Sequence, residues 1–258
     1  MEVTPARGQY RQVADILRAA IAGGEHPRGS MLPAESELAG RFGVSRQTVN
    51  RAFAILEAEG LIRVERPTGT IVHELPPIVR NAAARHSRTH REREGSRGAL
   101  ATELANLDYE LRSKNTVGPG HPPAHVAEVL GVAPDEASVV IRARYMRAED
   151  VPIQIVTSYI PLVIAKDTPI EQKDPGVGGI SSRLAELGHA QVEIEEHITV
   201  RPPVPEEATF LRMTEDQRVY EIFHIGWTHD DRPVKVTIYI MPTHQWDLQY
   251  RYPIEPSG

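Results

Sequence analysis

Between residues 9 and 59, apolar side chains recur every three or four positions, in three separate stretches. In Gln9–Ala22, Val13, Ile16, Leu17, Ala20 and Ile21 share one face, which predicts a helix stopped by Gly23-Gly24. Leu38, Ala39 and Phe42 give a second helix over Glu35–Phe42 its apolar face. Val49, Ala52, Phe53 and Leu56 do the same for a third over Ser45–Glu59. The three stripes can close one small core. Only Gly43-Val44 separates the second helix from the third, so the turn there is tight. After Gly60 two short strands are expected, at Ile62–Glu65 and Thr70–His73, joined through Pro67-Thr68-Gly69. This order is that of a winged helix-turn-helix, which sets its third helix into a DNA groove.

The pattern changes character further along. Residues 76–98 have little apolar periodicity and read as an Arg-rich linker, partly helical at most. Residues 99–258 read as α+β. Strands are expected at Leu107–Val117, Ser138–Arg147, Pro152–Ile160, Ala190–Arg201, Arg218–Thr228 and Pro233–Met241, and helices at Ala124–Leu130, Ile180–Leu187 and Pro205–Met213. Ala148–Val151 and Asp230-Asp231 are hairpin-length connections. A mainly antiparallel sheet follows, with helices on one side or at its ends. Gly118-Pro119-Gly120 reads as a turn. The domain reading is therefore 1–75, linker 76–98, and 99–258.

Composition narrows the function. The 258 residues include no cysteine, which excludes disulfides, thiolate metal sites and a thiol nucleophile, and fits a reducing cytoplasm. No apolar stretch is long enough to span a bilayer, and the first twelve residues show no secretory signal. The net charge of −6 is unevenly spread. Residues 1–75 balance nine arginines against nine acids, residues 76–98 carry a net +4, and residues 99–258 a net −10. An acidic C-terminal block is a poor partner for DNA, so nucleic-acid binding is assigned to the first hundred residues.

On the third helix Gln47, Asn50 and Arg51 point away from the apolar stripe, Thr48 lies at its edge, and Ser45 is placed to cap the first turn. With Arg46, these side chains suit base edges and phosphates. A solvated face on a generic three-helix bundle is the competing reading; the wing and the tight turn argue against it. Arg28 and Arg66 are candidates either for phosphate contacts or for plain surface charge.

The N-terminal block resembles the DNA-binding domain of the GntR family of bacterial regulators. The likeness rests on Tyr10, Leu32-Pro33, Glu35, Glu37-Leu38-Ala39, Phe42-Gly43-Val44-Ser45-Arg46, Thr48-Val49, Leu56, Glu59-Gly60-Leu61-Ile62 and Gly69-Thr70. The resemblance implies a homodimer on a near-palindromic double-stranded operator, with the third helix in the major groove and the wing, including Thr68 and Gly69, in the minor groove. The family often has arginine where this chain has Ser36 and Asn50, and a basic residue at Thr68. Weaker phosphate attraction and a changed base preference follow.

The second block resembles the UTRA domain of the HutC subfamily, which shares its fold with chorismate lyase. The matching pieces are Val129-Leu130-Gly131-Val132, Ile141–Met146, Val151-Pro152-Ile153, Thr157-Ser158-Tyr159-Ile160-Pro161 and Asp231-Arg232-Pro233-Val234. The resemblance implies a domain that dimerises and binds a small effector such as a phosphosugar or an organic acid. Arg142 and Arg144 alternate with apolar neighbours and so share a strand face. Buried, they need an anion or a carboxylate, so they read either as an anion clamp or as a salt-bridged outer face. Ser181 and Ser182, at a helix start, occupy a position where the family has phosphate ligands. Tyr159 is a candidate for the same cavity, a core tyrosine being the commoner case. Lys235 stands where phosphosugar-binding members tend to have glutamate, which favours a more anionic effector.

No catalytic constellation, cofactor motif or metal site stands out. Pro122-Pro123 break the spacing of His121 and His125, and His86 and His90 lack a third ligand. The expected function is a DNA-binding regulator, a repressor released by an anionic effector. The rivals are a DNA-binding dimer with a non-sensing C-terminal domain and, by fold analogy, a chorismate-lyase-like enzyme.

Overall fold

The computed structural model describes residues 8–65, 67–82 and 99–252. Arg66, His86, His90 and most of the expected linker lie outside the described residues. The chain divides into two compact units, Met1–Pro77 with Met213–Gln217, and Ile78–Arg212 with Arg218–Gly258.

The first unit is built on α1 (Gln9–Ala22), α2 (Glu35–Phe42) and α3 (Arg46–Ala58), followed by β1 (Ile62–Glu65) and β2 (Gly69–Val72). Its core joins Val13, Ala14 and Leu17 to Leu38, Val49, Phe53, Leu56, Ile62 and Val72. Ile16, expected in the α1 stripe, is instead half exposed, because the buried face is rotated toward Ala14. Gly43 ends α2 in the left-handed region at φ +64°, which lets the chain turn within two residues into α3. β1 and β2 pair antiparallel, and Met31 adds a bridge to Ile71 on the other side of β2. Gly69 has φ +133°, and a Cβ there would stand 2.6 Å from Met31 Cε, so this wing position needs glycine.

The second unit contains β3 (Ile78–Asn81), α4 (Ala99–Ala105), β4 (Leu111–Gly120), α5 (Ala124–Leu130), β5 (Val139–Ala148), β6 (Val151–Pro161), α6 (Leu162–Ala165), α7 (Gly179–Glu186), β7 (Glu193–Arg201), α8 (Pro205–Leu211), β8 (Val219–Trp227), β9 (Pro233–Pro242) and β10 (Trp246–Gln249). Six strands form one sheet in the order β4-β5-β6-β9-β8-β7, with antiparallel neighbours throughout. Both expected hairpins are present. Gly118-Pro119-Gly120 is not a turn: it continues β4 opposite Ile141, Val140 and Val139. Pro119 is tolerated because β4 is an edge strand. Residues 107–110, expected to begin that strand, instead turn after α4, with Asp108 at φ +63°.

Successive strand residues face opposite sides, and the two sides carry different helices. Val139, Tyr159, Ile225 and Val236 pack against Val126 and Leu130 of α5. Val140 and Ile160 pack against Ala165 of α6 and Leu184 of α7. Helices thus cover both faces, where one side or the ends had been expected. The cause is legible in β6: with apolar residues at both parities, most of it is buried on both faces.

Residues 78–81, expected within the linker, form β3 and pair in parallel with β10. Arg80 is fully buried there. Its guanidinium forks onto both oxygens of Glu196, which also accepts from His224 Nδ1 at 2.8 Å and from Tyr250 OH at 2.7 Å. Arg80 also lies over the Tyr239 ring, 5.4 Å from its centroid. Burial pushes His224 down to about 4, although Glu196 opposes the shift. His224 is therefore neutral near pH 7, with its proton on Nδ1 facing the carboxylate. Against the cost of its own burial, hydrogen bonds from His224 and Arg80 hold Glu196 well below the usual carboxylate range.

Both shifts have the same sign for stability. Unfolding returns His224 to its ordinary 6.5 and Glu196 to its ordinary range, so the unfolded chain takes up more protons in acid. Stability from this cluster is complete above about pH 6.5. It declines toward pH 4 as the unfolded histidine protonates, and further as the unfolded Glu196 does. Urea midpoints measured at pH 7.5 and pH 5 are expected to be lower at the acid value. Replacing His224 with Asn should flatten the difference.

Candidate functional site

The polar face of α3 starts at its cap. Ser45 Oγ accepts from the Thr48 backbone N–H at 3.1 Å and lies 2.9 Å from Thr48 Oγ1, so the cap spends both hydroxyls within the helix start. Arg46, Gln47, Asn50 and Arg51 are exposed, Thr48 is half-buried, and Val49, Ala52 and Phe53 are buried on the opposite side. Arg51 stacks over the ring of Tyr10, 4.3 Å from its centroid. Arg46 Nη2 lies 3.6 Å from Glu35 on α2. Thr68 is exposed at the wing tip and Gly69 follows it into β2. Arg28 donates to the Leu75 carbonyl at 2.7 Å, a bond that ties the chain after the wing to the loop after α1.

In the second unit one row crosses the sheet. Val117, Arg142, Ser158, Thr237, His224 and Glu196 are successive register partners, so their side chains share a face. Arg144 and Lys235 lie two residues along from Arg142 and Thr237 and join the same face. Ser158 Oγ and Thr237 Oγ1 are 2.9 Å apart in the middle of the row. Ser181, in the first turn of α7, donates to Gln191 at 3.0 Å, and Lys235 Nζ approaches its hydroxyl at 3.5 Å. Gln191 lies flat over Gly226, where a Cβ would stand 1.6 Å from its amide nitrogen. Ser182 is half-buried one residue further along α7.

Arg142 is buried and donates to three backbone carbonyls, those of Ile170, Gln172 and Lys173, at 2.5–3.1 Å. Burial first, and the neighbouring Arg144 charge second, push its pKa down to about 10; Asp174 opposes them. An anion on this face would relieve the repulsion between the two guanidiniums.

Tyr159 does not belong to this face. It pairs with Ile141 and Val236 and packs under α5, one residue out of phase with Ser158. The correction follows from period two: Arg142 and Tyr159 have opposite parity in the β5–β6 register. Ser158 and Thr237 lie on the face instead, and Gln191 borders it beside Ser181. Register places Ser158 and Thr237, and the loop before β7 places Gln191, so no local sequence pattern marks them. Tyr10 escaped as a partner of Arg51 because the two are 41 positions apart. His125 packs its ring 5.4 Å from Phe223.

Residues 9–72 match the family model for bacterial regulatory proteins of the gntR family, and residues 112–246, over half of the chain, match the UTRA domain. The chain belongs to the GntR family and carries a UTRA domain. As a GntR regulator it is a DNA-binding transcription regulator. It is 29% identical over 262 residues to an uncharacterised HTH-type transcriptional regulator of Streptomyces coelicolor, covering 99% of this chain and 97% of that one. It is 31% identical over 157 residues to the HTH-type transcriptional repressor NagR of Bacillus subtilis, covering 60% of this chain and 59% of NagR. Among solved structures, PhnF of Mycobacterium smegmatis shares the fold of this GntR chain at a TM-score of 0.56 and 18% identity, covering 94% of this chain and 100% of PhnF.

Proposed function

We propose that the protein represses transcription as a homodimer on an inverted-repeat operator and leaves the DNA when a small anionic metabolite occupies the UTRA domain. The two-sidedness of α3 carries the DNA half of this reading: a polar face of Arg46, Gln47, Asn50 and Arg51 stands opposite a fully buried stripe. Ser45, Thr48, Thr68 and Gly69 complete the interface. The effector site is formed by Arg142, Arg144, Ser181, Ser182 and Lys235. The mannosyl-D-glycerate transport/metabolism system repressor MngR of Escherichia coli is 29% identical over 167 residues, covering 61% of this chain and 60% of MngR. Mannosyl-D-glycerate carries a carboxylate, the kind of group that this face suits. Release of DNA requires that the effector bind two states of the dimer with different affinity.

Capture of genomic fragments on the full-length protein at physiological salt tests the first half. A few fragments sharing one inverted repeat are expected, and uniform salt-labile capture would count against the proposal. For the second half, a panel of phosphorylated sugars and small carboxylic acids is screened for compounds that release the operator. Arg142→Ala is expected to abolish release while changing operator affinity less than about 3-fold. Loss of operator binding in that variant would sink the clamp.

A second reading has one observation in its favour. The three carbonyls on Arg142 satisfy its guanidinium within the protein, as in a domain that senses nothing. Wild type that stays on the operator with every compound of the panel favours this reading. Release that is lost in Lys235→Ala, a residue outside the Arg142 bonds to residues 170–173, favours the effector site.

A further inference from the structure

Asn50 in the second turn of α3 faces Glu35, the first residue of α2. Both carboxylate oxygens of Glu35 stand 2.7 Å from one end of the Asn50 amide. A carboxylate only accepts, so the amide nitrogen occupies that end; the carbonyl there would set lone pairs against lone pairs. Glu35 is about one-quarter exposed and also attracts Arg46 at 3.6 Å, which fixes it between the two side chains.

This orientation changes what Asn50 offers to DNA. An unconstrained asparagine pairs with adenine through two bonds, its nitrogen donating to N7 and its oxygen accepting from N6. Here the nitrogen is turned to Glu35, and the carbonyl oxygen is at the other end of an exposed side chain. A lone acceptor in the major groove meets donors only at the exocyclic amino groups, N6 of adenine and N4 of cytosine. Guanine O6 and N7 and thymine O4 are acceptors and repel it. We propose that Glu35 positions Asn50 to read one exocyclic amino group in each half-site, rejecting guanine at that base. An arginine in the same place would select guanine. The inference rests on the proposal that α3 enters the major groove.

The test is selection from a randomised half-site library by the full-length protein, compared with Glu35→Ala and Asn50→Arg. Wild type is expected to enrich adenine or cytosine at one position per half-site. Asn50→Arg should move that position to guanine and leave the others alone. Glu35→Ala should broaden that position without changing the melting temperature. A base analogue lacking the amino group should then weaken binding by about 5- to 150-fold. If the base is adenine, 7-deazaadenine should change binding less than about 2-fold, because N7 is not read. An equal loss with 7-deazaadenine would mean two-bond pairing and overturn the positioning role. A repeat enriched identically by all three proteins would overturn this inference alone, and no enrichment by wild type would overturn the DNA-reading proposal as well.

Discussion

Glutamine in place of Glu196 should cost the fold about 3–5 kcal/mol and lower the melting temperature by about 6–20 °C. The reason is the position of Arg80. Its guanidinium is completely buried, and Glu196, almost as buried, accepts from both of its outer nitrogens. Glutamine keeps the shape but leaves a buried cation without a counter-charge, the costly half of a broken ion pair. It also gives His224 and Tyr250 a poorer acceptor. The double variant Arg80→Met with Glu196→Leu removes the charge as well as its partner. It is expected to recover much of the loss but not all, because the His224 Nδ1–H and the Tyr250 hydroxyl then lack Glu196. A melting temperature for Glu196→Gln within about 2 °C of wild type, roughly 1 kcal/mol or less, would show that solvent reaches Arg80 and that the pair contributes little.

That cluster also marks where reading the sequence stops. The first unit was legible because each of its helices buries a stripe with a 3.6-residue period, and because Gly43 and Gly69 mark backbone that other residues resist. In the six-stranded sheet the two hairpins were legible, but not the order that sets β9 beside β6. Arg80 was not, since an arginine among arginines reads as solvated, and only the pairing of β3 with β10 takes it inside. Arg142, Arg144 and Lys235 could be picked out by charge and period. Whether Tyr159 joined them depended on the β5–β6 register, which no local pattern specifies. The same holds for Asn50: its exposure followed from the helical wheel, but the direction of its amide depends on Glu35, fifteen positions earlier on another helix.

Removing both arginines from the reading face, by Arg46→Ala with Arg51→Ala, is expected to weaken operator binding on the order of 100- to 1,000-fold, since each good contact contributes about 1–3 kcal/mol. Both side chains are exposed on α3, so the melting temperature should hold. Salt dependence separates the roles. An arginine on a phosphate leaves all sequences weaker and lowers the salt slope by about 0.9 per contact; one on a base edge relaxes specificity and leaves the slope nearly unchanged. Arg51 has a further feature that makes its share testable, the stack on Tyr10. The stack restricts a long side chain before DNA arrives, which reduces the ordering cost at binding. Tyr10→Phe retains the ring face and should bind like wild type. Tyr10→Ala frees Arg51 and should lose about 2- to 5-fold. If Tyr10→Ala binds as wild type does while Arg51→Ala does not, Arg51 is placed by the DNA and not by the ring beneath it.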